Sequence, residues 1–366
     1  MGISLCVFVN FLLVVVILNV FSMNTVNYVV EGAQSISKEE DMELGRQLKI
    51  LNKPPIKIIL SAWGDTYDCI NIYKQPAFDH PLLRNHKIQM KPISELEQDR
   101  AQTSIFRARV ERFPEGSVPI RMTEKQDFIR ARLMSSTVSR SNDPSEYFAG
   151  MGYQNKDEKF YGATANMSVW QPNVTLDQYS LAEISIRSGW NDQSTRIHAG
   201  WMVNPMLYNN DSSVRYFIYW TAGCFNMLCP GFFQVHPEYT PDMPISDPSI
   251  YGKILNIIGY WPAEVFPLFG SVGAKRIYWG GYSRESEDGH APQMGSGHFP
   301  LEYGYGKHGS YFTSMQYYNA SGFLLDPNEK LMIKVLECKK NYDVEYFGFV
   351  EEVGHIFQYG GPGGKC

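Results

Sequence analysis

The stretch from Ser194 to Pro205 reads STRIHAGWMVNP, and its residues alternate in character. One parity is apolar throughout: Ile197, Ala199, Trp201 and Val203. A period of two is typical of a β-strand that buries one face, because successive side chains point to opposite sides of the sheet. The pattern therefore places His198 in the middle of a strand, on the face opposite the apolar row.

Short alternating runs of the same kind fill the second half of the chain. Gly, Pro, Asn and Asp bound these runs, and no long helical period follows Tyr147. The aromatic share of 14% also suits pleated, half-buried surfaces. Spacing of this kind favours antiparallel sheets over alternating strands and helices. We therefore predict an antiparallel β-sandwich over residues 148–366.

The region from 34 to 134 differs from the second half in its residue pattern and is predicted to be a small α+β domain. Its segment SKEEDMELGRQLKIL offers Ser37 as a helix N-cap with Glu40 three residues later, which is a capping box. The segment TEKQDFIRARLM predicts a second helix. Residues 135–147 are polar and lack apolar periodicity, so we predict a linker there.

The first 33 residues predict a secretory signal peptide, which makes the protein secreted and extracellular. An apolar run precedes small and polar residues around VEGAQS, as in cleaved signals. The run lacks the usual basic start and approaches the length of a signal anchor, the alternative interpretation. Asn10 and Asn19 interrupt it, which favours cleavage between about Ser22 and Ala33 and no stable membrane span.

Cysteine placement agrees with export. Beyond Cys6, which lies in the signal, one cysteine stands at position 69 and four follow in the second half. An even set in an exported chain predicts two disulfides, with reduced buried cysteines as the alternative. The predicted pairs are Cys224 with Cys229 and Cys338 with Cys366, which leaves Cys69 without a partner cysteine.

Glycosylation sequons follow the same division of the chain. Four Asn-X-Ser/Thr motifs lie after position 160, at Asn166, Asn173, Asn210 and Asn319. The net charge is −5 and basic residues are scattered, so the chain lacks the basic surface of a nucleic-acid-binding protein. We predict a glycoprotein with no nucleic-acid partner.

Searches for catalytic and ligand-binding motifs exclude several classes. The sequence contains no P-loop, no H-E-x-x-H motif and no G-x-S-x-G elbow. The match of GYGKHG, from Gly304 to Gly309, to a dinucleotide motif lacks the surrounding strands and helices and predicts a turn. His290 and His298 are weak candidates for metal ligands. We predict neither a metal site nor a cofactor.

Longer motifs carry a resemblance to one family. The segment NIYKQPAFDHPLLRNHKIQ, from Asn71 to Gln89, and VPIRMT, from Val118 to Thr123, resemble the activation peptide of the plant neprosin family. The second half resembles the peptidase domain of that family along its length, with the motifs YGATANMSVWQP, IGYWPAEVF, YWGGYS, QMGSGHFPLEYGYGKHGSYF and YGGPG.

The resemblance implies a secreted zymogen whose mature part is a β-sandwich glutamic peptidase that cleaves at proline in acid. Such chemistry needs two carboxylates: one takes a proton from water and the other protonates the leaving group. In the family one glutamate precedes AGW and the other follows WGG. This sequence has His198 at the first position and Tyr282 at the second.

Because neither glutamate is retained, we interpret the chain as a catalytically inactive homologue. It would bind a peptide or cell-wall ligand, with its own activation peptide as a further partner. The alternative is an active proline-directed endopeptidase, made as a zymogen, that works in acid through a rewired site. His198 could then serve as a base, and a relocated acid could compensate, with the candidates Glu287, Asp288 and Glu302.

Three further residues are candidates for a substrate cleft. Gln293 and Ser296 lie in the QMGSGHF stretch and could contact a peptide backbone. Trp220 could stack on a proline ring. Trp201 and Trp279 have the parity opposite to His198 and Tyr282, which predicts that both belong to the core.

Overall fold

The structure is a computed structural model that describes residues 37–61, 63–90, 113–138, 145–189, 195–220, 224–245, 258–302 and 308–366. The predicted signal peptide and residues 304–307 of the GYGKHG motif lie outside these ranges. Within the described ranges no helix is long and apolar enough to cross a membrane.

Three α-helices are described, and strands make up most of the remaining regular structure. The helices are α1 (Lys38–Leu51), α2 (Lys125–Val138) and α3 (Pro267–Val272). Short 3-10 helices cover Ile72–Lys74, Pro76–Asp79, Ala263–Val265 and Glu329–Leu331. The strands are β1 (Lys57–Leu60), β2 (Thr66–Asn71), β3 (Ser117–Arg121), β4 (Glu146–Tyr153), β5 (Gly162–Met167), β6 (Tyr179–Ser188), β7 (Thr195–Val203), β8 (Arg215–Trp220), β9 (Cys224–Phe225), β10 (Phe233–Gln234), β11 (Gly259–Tyr260), β12 (Arg276–Arg284), β13 (His290–Ala291), β14 (Ser310–Tyr318), β15 (Leu324–Leu325), β16 (Met332–Leu336), β17 (Asp343–Val350), β18 (Gly354–Gly360) and β19 (Gly364–Lys365).

The predicted α+β region contains both expected helices and an antiparallel sheet of order β1-β2-β3. The predicted N-cap of α1 is confirmed, because the backbone N–H of Glu40 donates to Ser37 Oγ at 3.1 Å. Helix α2 extends to Val138 and β4 begins at Glu146, so regular structure covers both ends of the predicted linker. The linker residues 139–144 lie outside the described ranges.

The second half is an antiparallel sandwich, as predicted. Its larger sheet has seven strands in the order β16-β4-β12-β6-β7-β8-β9. The smaller sheet has the order β15-β14-β18-β17, with β5 also paired to β14. Aromatic side chains from both sheets fill the core between them.

Two tryptophans tie the sheets together. Trp201 on β7 and Trp279 on β12 are almost completely buried, as their parity predicts. The Trp201 Nε1–H donates to the carbonyl of Ser168 at 2.9 Å, and that of Trp279 to the carbonyl of Thr164 at 3.3 Å. Buried indoles need such an acceptor, and here β5 and its continuation supply it.

Both predicted disulfides are confirmed. Cys224 is bonded to Cys229 across a six-residue turn, and Cys338 is bonded to Cys366 near the C-terminal end of the chain. Cys69 is buried in β2 and lies outside both disulfides.

The α+β region docks on the sandwich through buried polar groups. Gln75 exchanges two hydrogen bonds with the backbone of Gln234, at 2.8 and 3.1 Å. The Gln234 side chain in turn donates to the carbonyl of Pro119 on β3 at 2.6 Å. Gln75 belongs to the KQPAFDHP segment, so this segment lies against the sandwich.

Ion pairs join the same two regions. Arg121 on β3 lies between Asp127 on α2, at 3.0 Å, and Asp242 of the sandwich, at 3.3 Å. Arg215 on β8 contacts Asp65 at 2.9 Å. Asp127, Asp242 and Arg215 are buried, so separating the regions would leave buried charges without their ion-pair partners.

Replacing a side chain on the core face of β12 should cost more stability than replacing its neighbour on the other face. We expect Trp279→Ala to lower the free energy of unfolding by about 3–5 kcal/mol, because it opens a cavity in the core. Tyr278→Ala, one residue earlier, should cost about 1 kcal/mol because Tyr278 is only half-buried. Urea denaturation of both variants measures the difference, and equal losses would contradict the assignment of faces.

Candidate functional site

His198 and Tyr282 lie on one face of the seven-stranded sheet, which we call the site face. In the β6–β7 pair His198 is opposite Ser185, and in the β6–β12 pair Tyr282 is opposite Leu181. Ser185 and Leu181 are an even number of residues apart on β6, so all four side chains project to the same side. The core tryptophans project to the other side.

A buried glutamate forms a hydrogen bond with His198. The Nδ1–H of His198 donates to Oε2 of Glu183 at 2.8 Å, and both residues are at most 5% exposed. Tyr219 on β8 packs edge-on against the imidazole with ring centres 5.3 Å apart. The histidine is therefore oriented by a carboxylate on one side and an aromatic ring on another.

An arginine links this pair to Tyr282. Arg187, four residues after Glu183 on β6, places a guanidinium nitrogen 3.7 Å from Glu183 Oε1. Its charge also acts on Tyr282, whose pKa it lowers against the effect of burial, and its guanidinium lies over the ring of Tyr278, 4.8 Å from its centre. Glu183, His198, Arg187 and Tyr282 thus form one contiguous cluster.

Two glycines leave room for this convergence. Gly200 on β7 and Gly280 on β12 lie directly opposite Glu183 on its two sides. A Cβ at Gly200 would lie 1.9 Å from the carbonyl oxygen of Ala182, so no side chain fits there. The two strands that flank Glu183 therefore carry no side chain directly beside it. His198 and Arg187 can reach its carboxylate through this space.

The electrostatics fix the protonation of the cluster. Burial alone raises the pKa of Glu183, but the charge and hydrogen bond of His198 together with Arg187 outweigh it, so this pKa is lowered. Burial lowers the pKa of His198, and Glu183 offsets this only in part. Burial also raises the pKa of Tyr282. At neutral pH the cluster holds an ionised Glu183, a neutral His198 and a protonated Tyr282.

This arrangement differs chemically from a pair of acids. A carboxyl that donates a proton to a leaving group needs a raised pKa, whereas that of Glu183 is lowered. Neutral His198 keeps a lone pair on Nε2, which is buried and has no hydrogen-bond partner among the described residues. The cluster can accept a proton or a hydrogen bond at this nitrogen.

Helix α2 covers part of the site face. Ala131 and Met134 on α2 pack in one apolar cluster with side chains of the site face, which include Tyr219 and, partly buried, Tyr282. A polar contact supplements this packing, because Arg130 donates to Asn209 Oδ1 at 3.3 Å. Helix α2 therefore belongs to the same apolar cluster as Tyr219, the ring that packs against His198.

The structure corrects the assignment of Trp220 to the cleft. Trp220 pairs with Ile197 on β7, one residue away from His198, so its side chain points to the core face. It is buried there with its ring edge-on to Trp261, 5.6 Å away. Parity along β8 alone does not distinguish its two faces, because both carry apolar residues, so the core position of Trp220 follows only from the pairing with β7.

Gln293 and Ser296 are also not brought to His198. They flank Met294, which packs on the core side of β12 beside Gly281. Gln293 Oε1 accepts from the backbone N–H of Asn173 at 3.1 Å, and the N–H of Ser296 donates to Ser310 Oγ at 2.6 Å. Both residues support loops of the sandwich and do not line the site face.

The three relocated acids considered from the sequence lie elsewhere. Glu302 pairs with His298 at 3.4 Å and Asp288 with His290 at 3.1 Å, both at the exposed surface. The backbone N–H of Glu287 donates to Asp177 at 3.0 Å. Among the described residues no group of His, Cys, Asp or Glu is arranged to hold a metal ion.

The acid beside His198 is one that the sequence analysis missed. Glu183 and Arg187 lie in LAEISIRSGW, with Ser185 between them on the same parity. If the two strands form a hairpin closed around residues 189–194, Ser185 pairs with His198. The polar residues on one parity of this otherwise apolar strand were the signal that could have identified Glu183. Using that signal required the register of the hairpin, which decides which of them lies beside His198.

The pKa of His198 should lie below about 6.5, the value of an unperturbed imidazole. Between pH 6.5 and this lower pKa the unfolded chain binds a proton that the folded chain does not, so the free energy of unfolding should fall as the pH drops through this window. Glu183, whose pKa is lowered, contributes stability that is lost only at lower pH, below about 4.3.

Long-range proton–nitrogen NMR of the imidazoles measures the midpoint, and His198→Gln identifies the signal. The same variant should remove this part of the pH dependence of unfolding. A midpoint at or above 6.5 would show that Glu183 outweighs burial and would refute the neutral assignment.

Comparison with known families matches both parts of the chain. Residues 58–161 match the family model described as "Neprosin activation peptide". Residues 176–257 and 253–362 match the model described as "Neprosin". The second set spans just over half of the 366 residues and includes β6, β7 and β12, which carry the site cluster. The chain therefore belongs to the neprosin family of peptidases and carries its activation peptide.

Proposed function

We infer that this protein is a secreted member of the neprosin family that has lost proteolytic activity and keeps the site face as a ligand-binding surface. The ligand is a peptide. The activation peptide stays associated with the sandwich through the buried ion pairs of Arg121 and Arg215.

The observation that carries this proposal is the state of the single carboxylate in the cluster. Glutamic peptidase chemistry needs an ionised carboxylate that activates water and a protonated one that donates to the leaving group. Glu183 is held ionised between His198 and Arg187, and His198 and Tyr282 occupy the positions where the family resemblance expects glutamates. The cluster therefore lacks the acid that donates the second proton.

A second candidate function follows from the same contacts. A neutral histidine whose Nδ1–H is held by a carboxylate is oriented as a general base is in hydrolases. His198 and Glu183 have this relation, with Tyr282 as a hydrogen-bond donor nearby. This favours a hydrolase active near neutral pH. Against it, Nε2 of His198 is enclosed and would have to be uncovered before substrate could reach it.

Secretion is supported by the two disulfides and the exposed sequons. Disulfides persist in oxidising compartments, where N-glycosylation also occurs. Asn173 and Asn210 are exposed, whereas Asn166 lies in β5 and its side-chain amide donates to Ser314 Oγ at 3.3 Å.

After expression through a eukaryotic secretory pathway, we expect glycans at Asn173 and Asn210, since a glycan needs an exposed attachment site. Enzymatic deglycosylation in heavy-oxygen water followed by peptide mapping reports occupancy at each sequon. Asn173→Gln and Asn210→Gln should each remove one glycan from the intact mass. An unmodified secreted protein would contradict the assignment of both sites.

The full-length protein should not cleave peptides at proline at any pH from 3 to 8. The assay incubates it with a proline-containing peptide, before and after limited proteolysis by an added enzyme, and follows the products by mass spectrometry. His198→Glu combined with Tyr282→Glu restores two carboxylates on the site face and should give turnover in acid, whereas either single variant should not.

A matched control keeps the number of added charges the same. His198→Glu combined with Tyr278→Glu puts the second carboxylate in the row of His198, four residues before the position where the family resemblance expects it, and we expect this variant to be inactive. Turnover by the wild type that is abolished by His198→Ala and by Glu183→Gln would overturn the proposal and establish the histidine-based hydrolase.

A further inference from the structure

The disulfide between Cys224 and Cys229 closes a loop that meets the activation region in two ways. The first contact is apolar. Phe225 of β9 belongs to the same buried cluster as Ala131 and Met134 of helix α2, and α2 lies beside β9. The disulfide loop therefore forms part of the surface on which this helix packs.

The second contact is polar and runs through Asn226. Its side-chain amide donates to Oδ1 of Asp242, whose Oδ2 accepts from Nε of Arg121 at 3.3 Å. Arg121 also pairs with Asp127 of α2 at 3.0 Å. Asn226, Asp242 and Asp127 are buried, so each depends on its partners for hydrogen bonds or charge pairing. A continuous chain of polar contacts thus leads from the disulfide loop to α2.

The position of Asn226 depends on the shape of this loop. Its backbone N–H donates to the carbonyl of Ile218 at 2.8 Å, and its Oδ1 accepts from the N–H of Ile218 at 2.9 Å. Its φ is +48°, a left-handed conformation that a residue other than glycine keeps only when its surroundings hold it there. The pairing of β9 with β8 covers two residues of each strand. The disulfide adds the restraint that closes the ends of the loop.

We propose that the disulfide between Cys224 and Cys229 is a redox-controlled latch on the activation region. While the bond is intact, Phe225 and Asn226 are held where they meet α2 and Asp242. Reduction releases the loop, and α2 then loses both contacts and separates from the site face. The proposal rests on the association of the activation region with the sandwich inferred above and adds the bond that controls it.

The reductant is a dithiol, which reaches the bond from the side of Cys229. Cys229 is partly exposed, whereas Cys224 is buried. A thiolate of the dithiol attacks Sγ of Cys229, and Cys224 leaves as a thiolate that takes up a proton. The second thiol of the dithiol then displaces Cys229 from the mixed disulfide. Two electrons and two protons pass to the protein, which ends with two thiols, while the dithiol becomes a cyclic disulfide.

The other disulfide provides a matched control. Cys338 and Cys366 are joined near the C-terminal strand β19, which pairs with β13. None of the residues of these two strands belongs to the apolar cluster that contains α2. Breaking this second bond should therefore leave the contacts of α2 unchanged.

Hydrogen exchange of the full-length protein, measured by mass spectrometry of its peptides, tests the latch. Cys224→Ser combined with Cys229→Ser should speed exchange of the α2 amides at least about tenfold, because local opening of the helix becomes easier. Peptides from β6 and β12 should exchange as in the wild type. Cys338→Ser combined with Cys366→Ser should leave α2 unchanged and speed exchange only near β13 and β19.

Two further measurements do not require the serine variants to fold. Titration of the folded wild type with dithiothreitol should speed α2 exchange in step with the appearance of thiols at Cys224 and Cys229, which alkylation and peptide mapping locate. Asn226→Gly keeps the disulfide and permits the left-handed backbone, but it removes the amide that donates to Asp242. It should speed α2 exchange less than loss of the disulfide does, because Phe225 stays in place.

Several outcomes would overturn the latch. They are equal α2 exchange in the two disulfide variants, equal acceleration in α2 and β6, and reduction of Cys224 and Cys229 without a change in α2. Resistance of this bond to dithiothreitol in the folded protein would overturn it as well. Fast exchange of α2 in the oxidised wild type would instead refute the association of the activation region, on which the latch rests.

Discussion

The alternation of side chains along the seven-stranded sheet is the constraint on which the rest of the structure depends. Trp201 and Trp279 fill the core side, and their indole N–H groups donate to carbonyls of the segment that begins with β5. A one-residue slip of either strand would bring a large indole to the site face and remove these hydrogen bonds. The register of β7 and β12 is thereby held in place, and with it the positions of His198 and Tyr282.

Once the register is fixed, the site face collects polar residues from neighbouring strands. Glu183 meets His198 across one strand pair and Arg187 along its own strand. Buried charges are tolerated only when paired, so each member of this cluster depends on the others. The same pairing that makes burial acceptable also lowers the pKa of Glu183. The charge pairing that stabilises buried Glu183 therefore works against keeping a carboxyl protonated for catalysis.

Paired charges also join the activation region to the sandwich. Its charges at Asp65, Arg121 and Asp127 pair with Arg215 and Asp242 of the sandwich or with one another. Apolar residues of α2 also belong to the cluster that contains Tyr219. The region thus shields part of the site face while its ionic contacts lie outside the Glu183 cluster. The ionic contacts of docking and the charged residues of the Glu183 cluster are therefore different residues.

The sequence by itself determined the sandwich, the helices α1 and α2, both disulfides and the opposite faces of neighbouring residues within β7 and β12. These features follow from local patterns: periods of two or 3.6 residues, cap residues and an even set of cysteines. Parity placed Trp201 and Trp279 in the core and His198 and Tyr282 opposite them. The core position of Trp220 required the pairing of β8 with β7.

Only the tertiary structure decided which residues meet on that face. Glu183 becomes the partner of His198, and Arg187, Arg196 and Arg276 become neighbours, through the pairing of β12, β6 and β7. Gln293 and Ser296 remain apart from them because their segment packs on the core side of β12. Periodicity along one strand specifies a face but not the register between strands, and the register sets the distances between charged groups on which the chemistry of the site depends.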